Sequence, residues 1–168
     1  WLGGKAAELR RDGFRFDMGP TIMMLPSAWR RVFAAAGRRL EDEVELVRLD
    51  PQWRCFYPDG ATLDLWAGAE RMKQELESFA PGSSAGYESV LGHSEGLHAL
   101  AKDYFFDAPI GSRWDVVKRK GISPSTLRDV IKMRPGATVA GTVRGHVPEA
   151  RVAQMLDHFT QYVGSAPD

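Results

Sequence analysis

Two short runs hold the residue types best suited to chemistry: Gly3-Gly4-Lys5-Ala6 and Gly19-Pro20-Thr21. Glycine lacks a Cβ, so its backbone can approach a flat ring or a pyrophosphate and present N–H groups to it. Gly3 and Gly4 suit that purpose, although their spacing alone fits a plain turn as well. Lys5 adds a positive charge beside them. Pro20 fixes a turn and Gly19 permits close approach, while Asp17 is placed to hold the loop through backbone N–H groups. An ordinary β-to-helix connection is the competing reading of that loop. No Ser-His-Asp set or carboxylate pair stands out. Asp17, Glu45, Asp64 and His158 are conceivable proton acceptors, and no catalytic residue is assigned. His93 and His98 are five apart, the wrong relation for one helix face, and Cys55 is the single cysteine. The sequence therefore offers no metal site and no internal disulfide.

The chain has 168 residues, enough for one domain with a real core. Its 43% apolar content argues against disorder. Lys plus Arg equals Asp plus Glu at 22 each, so there is no electrostatic reason to expect nucleic acid as partner. No uninterrupted apolar run approaches the roughly 18–20 residues of a membrane span. The first residue is Trp1, so the native start is expected to lie upstream.

The elements that must position these residues fall into two stretches. Asp12-Gly13 sits between Glu8–Arg11 and Phe14–Asp17 and predicts a hairpin, with Phe14 and Phe16 on a buried face. Pro26-Ser27 opens a helix carrying Trp29, Val32, Phe33 and Ala36, with Gly37 as its stop. Val44–Leu49, Gln52–Tyr57 and Ala61–Leu65 read as a small antiparallel meander turned at Pro58-Asp59-Gly60. Helices are expected over Ala69–Phe79, from Ser84 to Phe106, from Ser125 to Pro135-Gly136, and from Pro148 with Val152, Met155, Leu156, Phe159 and Val163 on one face. The stretch Asp107–Pro124 reads as irregular, with one turn at Trp114–Arg119. The fold class is α+β: a β-rich part over residues 1–66, then a mostly helical part over 67–168. No G-x-G-x-x-G follows a strand, so a Rossmann unit is absent from this chain.

The order of these pieces resembles the bacterial phytoene desaturase family of FAD-dependent, amine-oxidase-like flavoenzymes. Gly3-Gly4-Lys5-Ala6 resembles the family's Gly-Gly-Arg-Ala, which follows its Rossmann unit. Asp12-Gly13-Phe14-Arg15-Phe16-Asp17-Met18-Gly19-Pro20-Thr21 resembles its Asp-Gly-Phe-x-Phe-Asp-x-Gly-Pro-Thr run, the most specific of the matches. Leu49-Asp50-Pro51 through Phe56-Tyr57-Pro58-Asp59-Gly60, and Tyr162-Val163-Gly164-Ser165-Ala166-Pro167, match later strands and a late helix end. Lys5 departs from the family's arginine; it keeps the charge and loses the bidentate fork.

The resemblance implies an FAD-dependent desaturase of a long apolar polyene such as phytoene, in carotenoid biosynthesis. It places Gly3, Gly4, Lys5, Ala6, Gly19, Pro20 and Thr21 beside the flavin. A polyene needs a long apolar tunnel. Candidate lining is Met23, Met24, Trp53, Phe56, Phe105 and Phe159, and for any one of them ordinary core packing is the more common role. The stretch Phe105–Lys120 mixes apolar and basic residues, as a membrane surface or an exposed loop would. The implied setting is cytoplasmic, peripheral at the inner face of the membrane. The segment alone is expected to be inactive, to hold FAD weakly at best and to self-associate. Other readings are a relative of the same frame acting as isomerase, saturase or amine oxidase, or a non-catalytic lipid- or partner-binding module.

Overall fold

Hairpins and amphipathic helices form where the turn chemistry and periodicity place them, and a computed structural model describes them for residues 4–20, 22–106 and 111–168. The chain divides into two units, residues 1–48 and residues 49–168. The fold is α+β, with two two-stranded antiparallel sheets and a helical remainder.

In the first unit, β1 (Glu8–Arg11) pairs with β2 (Phe14–Asp17), Glu8 opposite Asp17 and Arg11 opposite Phe14. Asp12 and Gly13 both take positive φ, 52° and 83°, the turn that matches strand twist. Register places Arg10 directly opposite Arg15, an unfavourable pairing. Glu8 offsets it by bridging both guanidinium groups, at 2.5 Å and 2.7 Å. The expected burial of Phe14 and Phe16 does not occur: they are 67% and 54% exposed. A two-stranded ribbon has no second layer of its own, so alternation sorts its faces without covering either.

Helix α1 (Pro26–Ala35) starts with proline in the first turn and stops where expected. Gly37, at φ 71°, lets the Gly37 N–H reach the Ala34 carbonyl at 3.0 Å and the Arg38 N–H reach that of Phe33 at 2.9 Å. A single helical turn, α2 (Leu40–Glu43), follows and was not foreseen; Arg30 pairs with Glu41 across to it at 2.5 Å. The strand expected over Val44–Leu49 is absent. The chain is extended at Val44 but joins no ladder, so the meander reduces to a hairpin.

In the second unit, β3 (Trp53–Phe56) pairs with β4 (Thr62–Leu65). Helix α3 (Ala69–Phe79) buries Met72 and Leu76. Its Glu77 carboxylate then accepts the N–H groups of Gly82 and Ser84, at 2.8 Å and 3.2 Å, satisfying the orphan donors that open α4 (Ser83–Ala101). Helix α4 passes into a π-helical turn at Lys102–Phe106. The region read as irregular contains a two-turn helix, α5 (Arg113–Lys120), closed by a Ser112–Asp115 capping box. Helix α6 (Pro124–Lys132) follows, capped by Ser123.

Helix α7 (Val139–His146) was not foreseen from the sequence. Gly141 and Gly145 lower its propensity, and burial of Ala140 and Val143 overrides them. Helix α8 (Ala150–Asp157) begins after Glu149, whose carboxylate takes the Val152 N–H at 2.7 Å, two residues later than Pro148 would place it. It gives way at His158 to a 3-10 turn through Val163. That change of period takes Val163 off the buried face and leaves it exposed. The core joins Leu63 of the sheet to Met72, Leu76, Val90, Val143 and Val152 from the helices. Tyr57 ties the hairpin to α8 by donating to the Arg151 carbonyl at 2.8 Å.

Close helix packing at Gly86 sets the position of α4 against α7. A Cβ built there would lie 2.2 Å from the His146 carbonyl oxygen, whereas Gly92 and Gly96 on the same helix have nothing within 4 Å. Gly86→Ala is therefore expected to destabilise the unit by about 1–3 kcal/mol. Gly92→Ala is expected to stabilise it by about 0.5–1 kcal/mol through helix propensity. Thermal unfolding of the two variants checks the opposite signs.

Candidate functional site

The first candidate site is built by the β1–β2 hairpin. Beyond the Glu8–Asp17 pair, the Met18 N–H donates to the Ala7 carbonyl at 2.9 Å. Gly4–Ala6 form a 3-10 turn that closes on itself through the Ala7 N–H and the Gly4 carbonyl at 3.2 Å. The ladder thus brings the Gly4-Lys5-Ala6 turn and the Met18-Gly19-Pro20 loop, twelve or more residues apart in sequence, to the open end of one hairpin. Gly4 has φ +51°, a conformation that favours glycine, and open space where a Cβ would be. Lys5 is exposed and Gly19 is half-buried. Gly3 and Thr21 lie outside the described residues. Of the proposed lining residues in this unit, Met23 is half-buried and Met24 exposed. They precede Leu25, a non-glycine residue at φ +52° that opens α1.

The second candidate site is a cavity of about 470 Å³ in the second unit. Its walls come from Leu65 on β4, Tyr87 and Val90 on α4, Val143 on α7, Leu156 on α8 and Phe159 in the 3-10 turn. Polar residues interrupt this lining at Gln52, His93, Ser94, Arg134, Thr138 and Thr142. The volume and the balance of apolar wall with few polar groups are those of a small-molecule site. Phe159 is the one residue of the predicted lining that reaches it. Trp53 instead packs on the His158 ring at 4.8 Å, while Phe56 and Phe105 are exposed away from it. Tyr87, Val90, Leu91 and Leu97 fall in the helix expected from Ser84 to Phe106 and were not singled out as lining. Without α7 their second wall could not be foreseen.

The conceivable proton acceptors are otherwise engaged or exposed. Asp17 accepts from Arg15 at 3.2 Å, and the His158 ring packs against Trp53 at a tilt of 52°. Asp64 lies directly opposite Arg54 in the sheet and takes a bidentate pair of bonds from its guanidinium, at 2.6 Å and 2.7 Å. Those bonds hold its carboxyl below the usual range, against the opposing effect of burial. Burial pushes the Cys55 thiol up, which suits packing and not nucleophilic attack. Burial likewise raises the Tyr57 hydroxyl.

No family model matches this sequence. Over 166 residues it is 31% identical to a 4,4'-diapolycopene oxygenase of Methylomonas, covering 99% of this chain and 33% of the relative. Over 171 residues it is 32% identical to a carotenoid 3,4-desaturase of Haloarcula japonica, again covering 99% and 33%. The chain is a relative of the carotenoid desaturases and oxygenases. A 4,4'-diaponeurosporene oxygenase of Staphylococcus aureus is 27% identical over 165 residues, 98% of this chain and 32% of that protein. The chain spans about a third of the length of the curated relatives it matches. Nearly all of this carotenoid desaturase-like chain is matched, so both candidate sites lie within the shared region. That agrees with the resemblance to the carotenoid desaturases read from the sequence. Among the described residues, no helix is long and apolar enough to cross a membrane.

The Arg54–Asp64 pair gives a pH test. A carboxyl lowered in the folded state contributes stability above its unfolded pKa and loses that contribution as pH falls through the folded value. Asp64→Asn is expected to lower the melting temperature at pH 7, by less than Gly86→Ala. The difference between Asp64→Asn and the unsubstituted protein should shrink as pH falls below about 4. Melting curves across pH 2–7 check it, and a constant difference would count against the pairing.

Proposed function

We propose that this chain is part of an FAD-dependent oxidoreductase acting on a long apolar polyene of the carotenoid class. The observation that carries the reading is the hairpin ladder, which sets two glycine-bearing stretches at one end within a chain related to carotenoid oxidoreductases. The residues fit a flavin: Gly4 leaves open space at a positive φ, Lys5 offers a cation, and Gly19-Pro20 forms a second backbone edge. A bound flavin supplies the hydride acceptor for oxidation of a substrate C–H bond. Gly4–Ala6 would hold its polar edge, with Lys5 as a point charge where a bidentate fork is not available. Gly19 and Pro20 would shape the side on which substrate lies. The apolar cavity of the second unit would receive part of the polyene away from water.

A second reading concerns the product. Two of the relatives are named as oxygenases and one as a desaturase. Desaturation removes two hydrogens from phytoene, and oxygenation adds oxygen to an already unsaturated chain. Incubating the intact protein with phytoene and with lycopene, followed by mass analysis, separates these outcomes. A two-hydrogen loss is expected with at least one substrate. Recovery of both unchanged would overturn the polyene assignment.

The same reading includes contact with a membrane, from which such a substrate is drawn. Trp114, Ile122, Leu127 and Ile131, on and between α5 and α6, are exposed beside Lys118, Arg128 and Lys132. Apolar side chains flanked by cations suit an anionic lipid surface. The triple variant Ile122→Ser, Leu127→Ser, Ile131→Ser in the intact protein is expected to reduce flotation with phosphatidylserine-containing vesicles about tenfold or more. Unchanged flotation would remove this face from the account.

A further inference from the structure

The α6–α7 connection carries an arginine where backbone geometry favours glycine. Met133 caps α6, and Arg134, the next residue, takes φ +49°. That left-handed position after a helix is commonly glycine, because a Cβ there is strained. Arg134 is followed by Pro135, and its N–H closes on the Ile131 carbonyl at 3.0 Å, so the strained turn is held in place. The Arg134 guanidinium makes no hydrogen bond, ion pair or ring contact among the described residues, and it borders the apolar cavity. His93 and Gln52 border the same cavity, also with no side-chain partner among the described residues. Arg134 is exposed at the mouth of the cavity, and a permanently charged five-donor fork at the edge of an apolar space suits an apolar chain with an anionic end, such as a carboxylate.

We infer that this cavity binds the end of a long apolar chain that carries a terminal carboxylate, with Arg134 as the carboxylate-selecting residue. The apolar portion lies against Tyr87, Val90, Val143 and Phe159, and the carboxylate accepts from the Arg134 fork, with His93 within the same lining as a further donor. The inference rests on the polyene reading only where the chain is taken to be a polyene; the preference for a carboxylate stands on the cavity itself. Oxidation of a polyene end and a membrane acyl chain are two sources of that chemistry.

The test uses the intact protein and three probes: dodecanoate, dodecanol and all-trans-retinoate, by titration calorimetry. Dodecanoate is expected to bind about tenfold more tightly than dodecanol, as a charge-assisted pair replaces a neutral one. Arg134→Gln should erase that ratio and leave dodecanol affinity unchanged, and Arg134→Lys should restore part of it. Arg134→Gly should lose the ratio while raising the melting temperature by about 2–4 °C, since it relieves the left-handed residue. Retinoate binding more tightly than dodecanoate supports the site with a polyene acid as its source; the reverse order supports it with an acyl chain. Equal affinities for dodecanol and dodecanoate, an unchanged ratio in Arg134→Gln, or a lowered melting temperature in Arg134→Gly would overturn the inference. Loss of carboxylate preference leaves the carotenoid reading standing, and failure of polyene turnover leaves the carboxylate preference standing, so the two fail separately.

Discussion

The backbone approach at Gly86 is the constraint on which the second unit depends. Only a residue without Cβ lets α4 come so near the His146 carbonyl at the end of α7. Once the helices meet there, Tyr87 and Val90 of α4 join one core with Val143 of α7 and Val147 just beyond it, and Leu63 and Met72 complete that core. The same arrangement leaves the later part of α4 and the start of α7 apart. The apolar cavity opens there, toward the α6–α7 connection. Packing at one glycine and a void farther along the same helix thus belong to one geometry.

The first unit obeys a different constraint. Its hairpin has little core, and among the described residues Leu40 is the buried hydrophobic residue of this unit. Register is fixed by the Asp12-Gly13 turn, because a slip of one residue would exchange every side chain between faces. That register also fixes which residues flank the open end. Met18 meets Ala7, and the two glycine-bearing stretches become neighbours through backbone bonds alone. Their juxtaposition therefore needs no side-chain packing between them.

Much of this was legible in the sequence. The Asp-Gly turn and the Gly37 stop rest on local chemistry, and local chemistry can be read residue by residue. What was missed depended on partners. Val44–Leu49 alternates as a strand does, but a strand exists only with a neighbour to bond. Phe14 and Phe16 alternate correctly, yet both stay exposed, because alternation alone supplies no covering layer. Helix α7 holds two glycines and was invisible until Gly86 supplied the surface it packs on. The cavity followed from α7, so Gln52, His93 and Arg134 could not be gathered in advance. The glycine-bearing stretches were found because their signal is a backbone property, which the sequence states directly.

The proposed chemistry needs little from this chain beyond positioning. Asp64 is committed to Arg54, and the His158 ring packs against Trp53. Open backbone at Gly4, the Gly19-Pro20 edge, one cation at Lys5 and an apolar cavity are what the segment would contribute to a flavin-dependent oxidation. The most direct measurement is the visible absorbance of the purified intact protein beside its Gly4→Val and Gly19→Val variants. The account predicts a flavin spectrum in the unsubstituted protein and marked loss of bound flavin in both variants, with melting behaviour preserved in Gly19→Val, while Gly4→Val, strained at φ +51°, also melts lower. A colourless intact protein that takes up no added FAD, or full flavin occupancy in both variants, would contradict it.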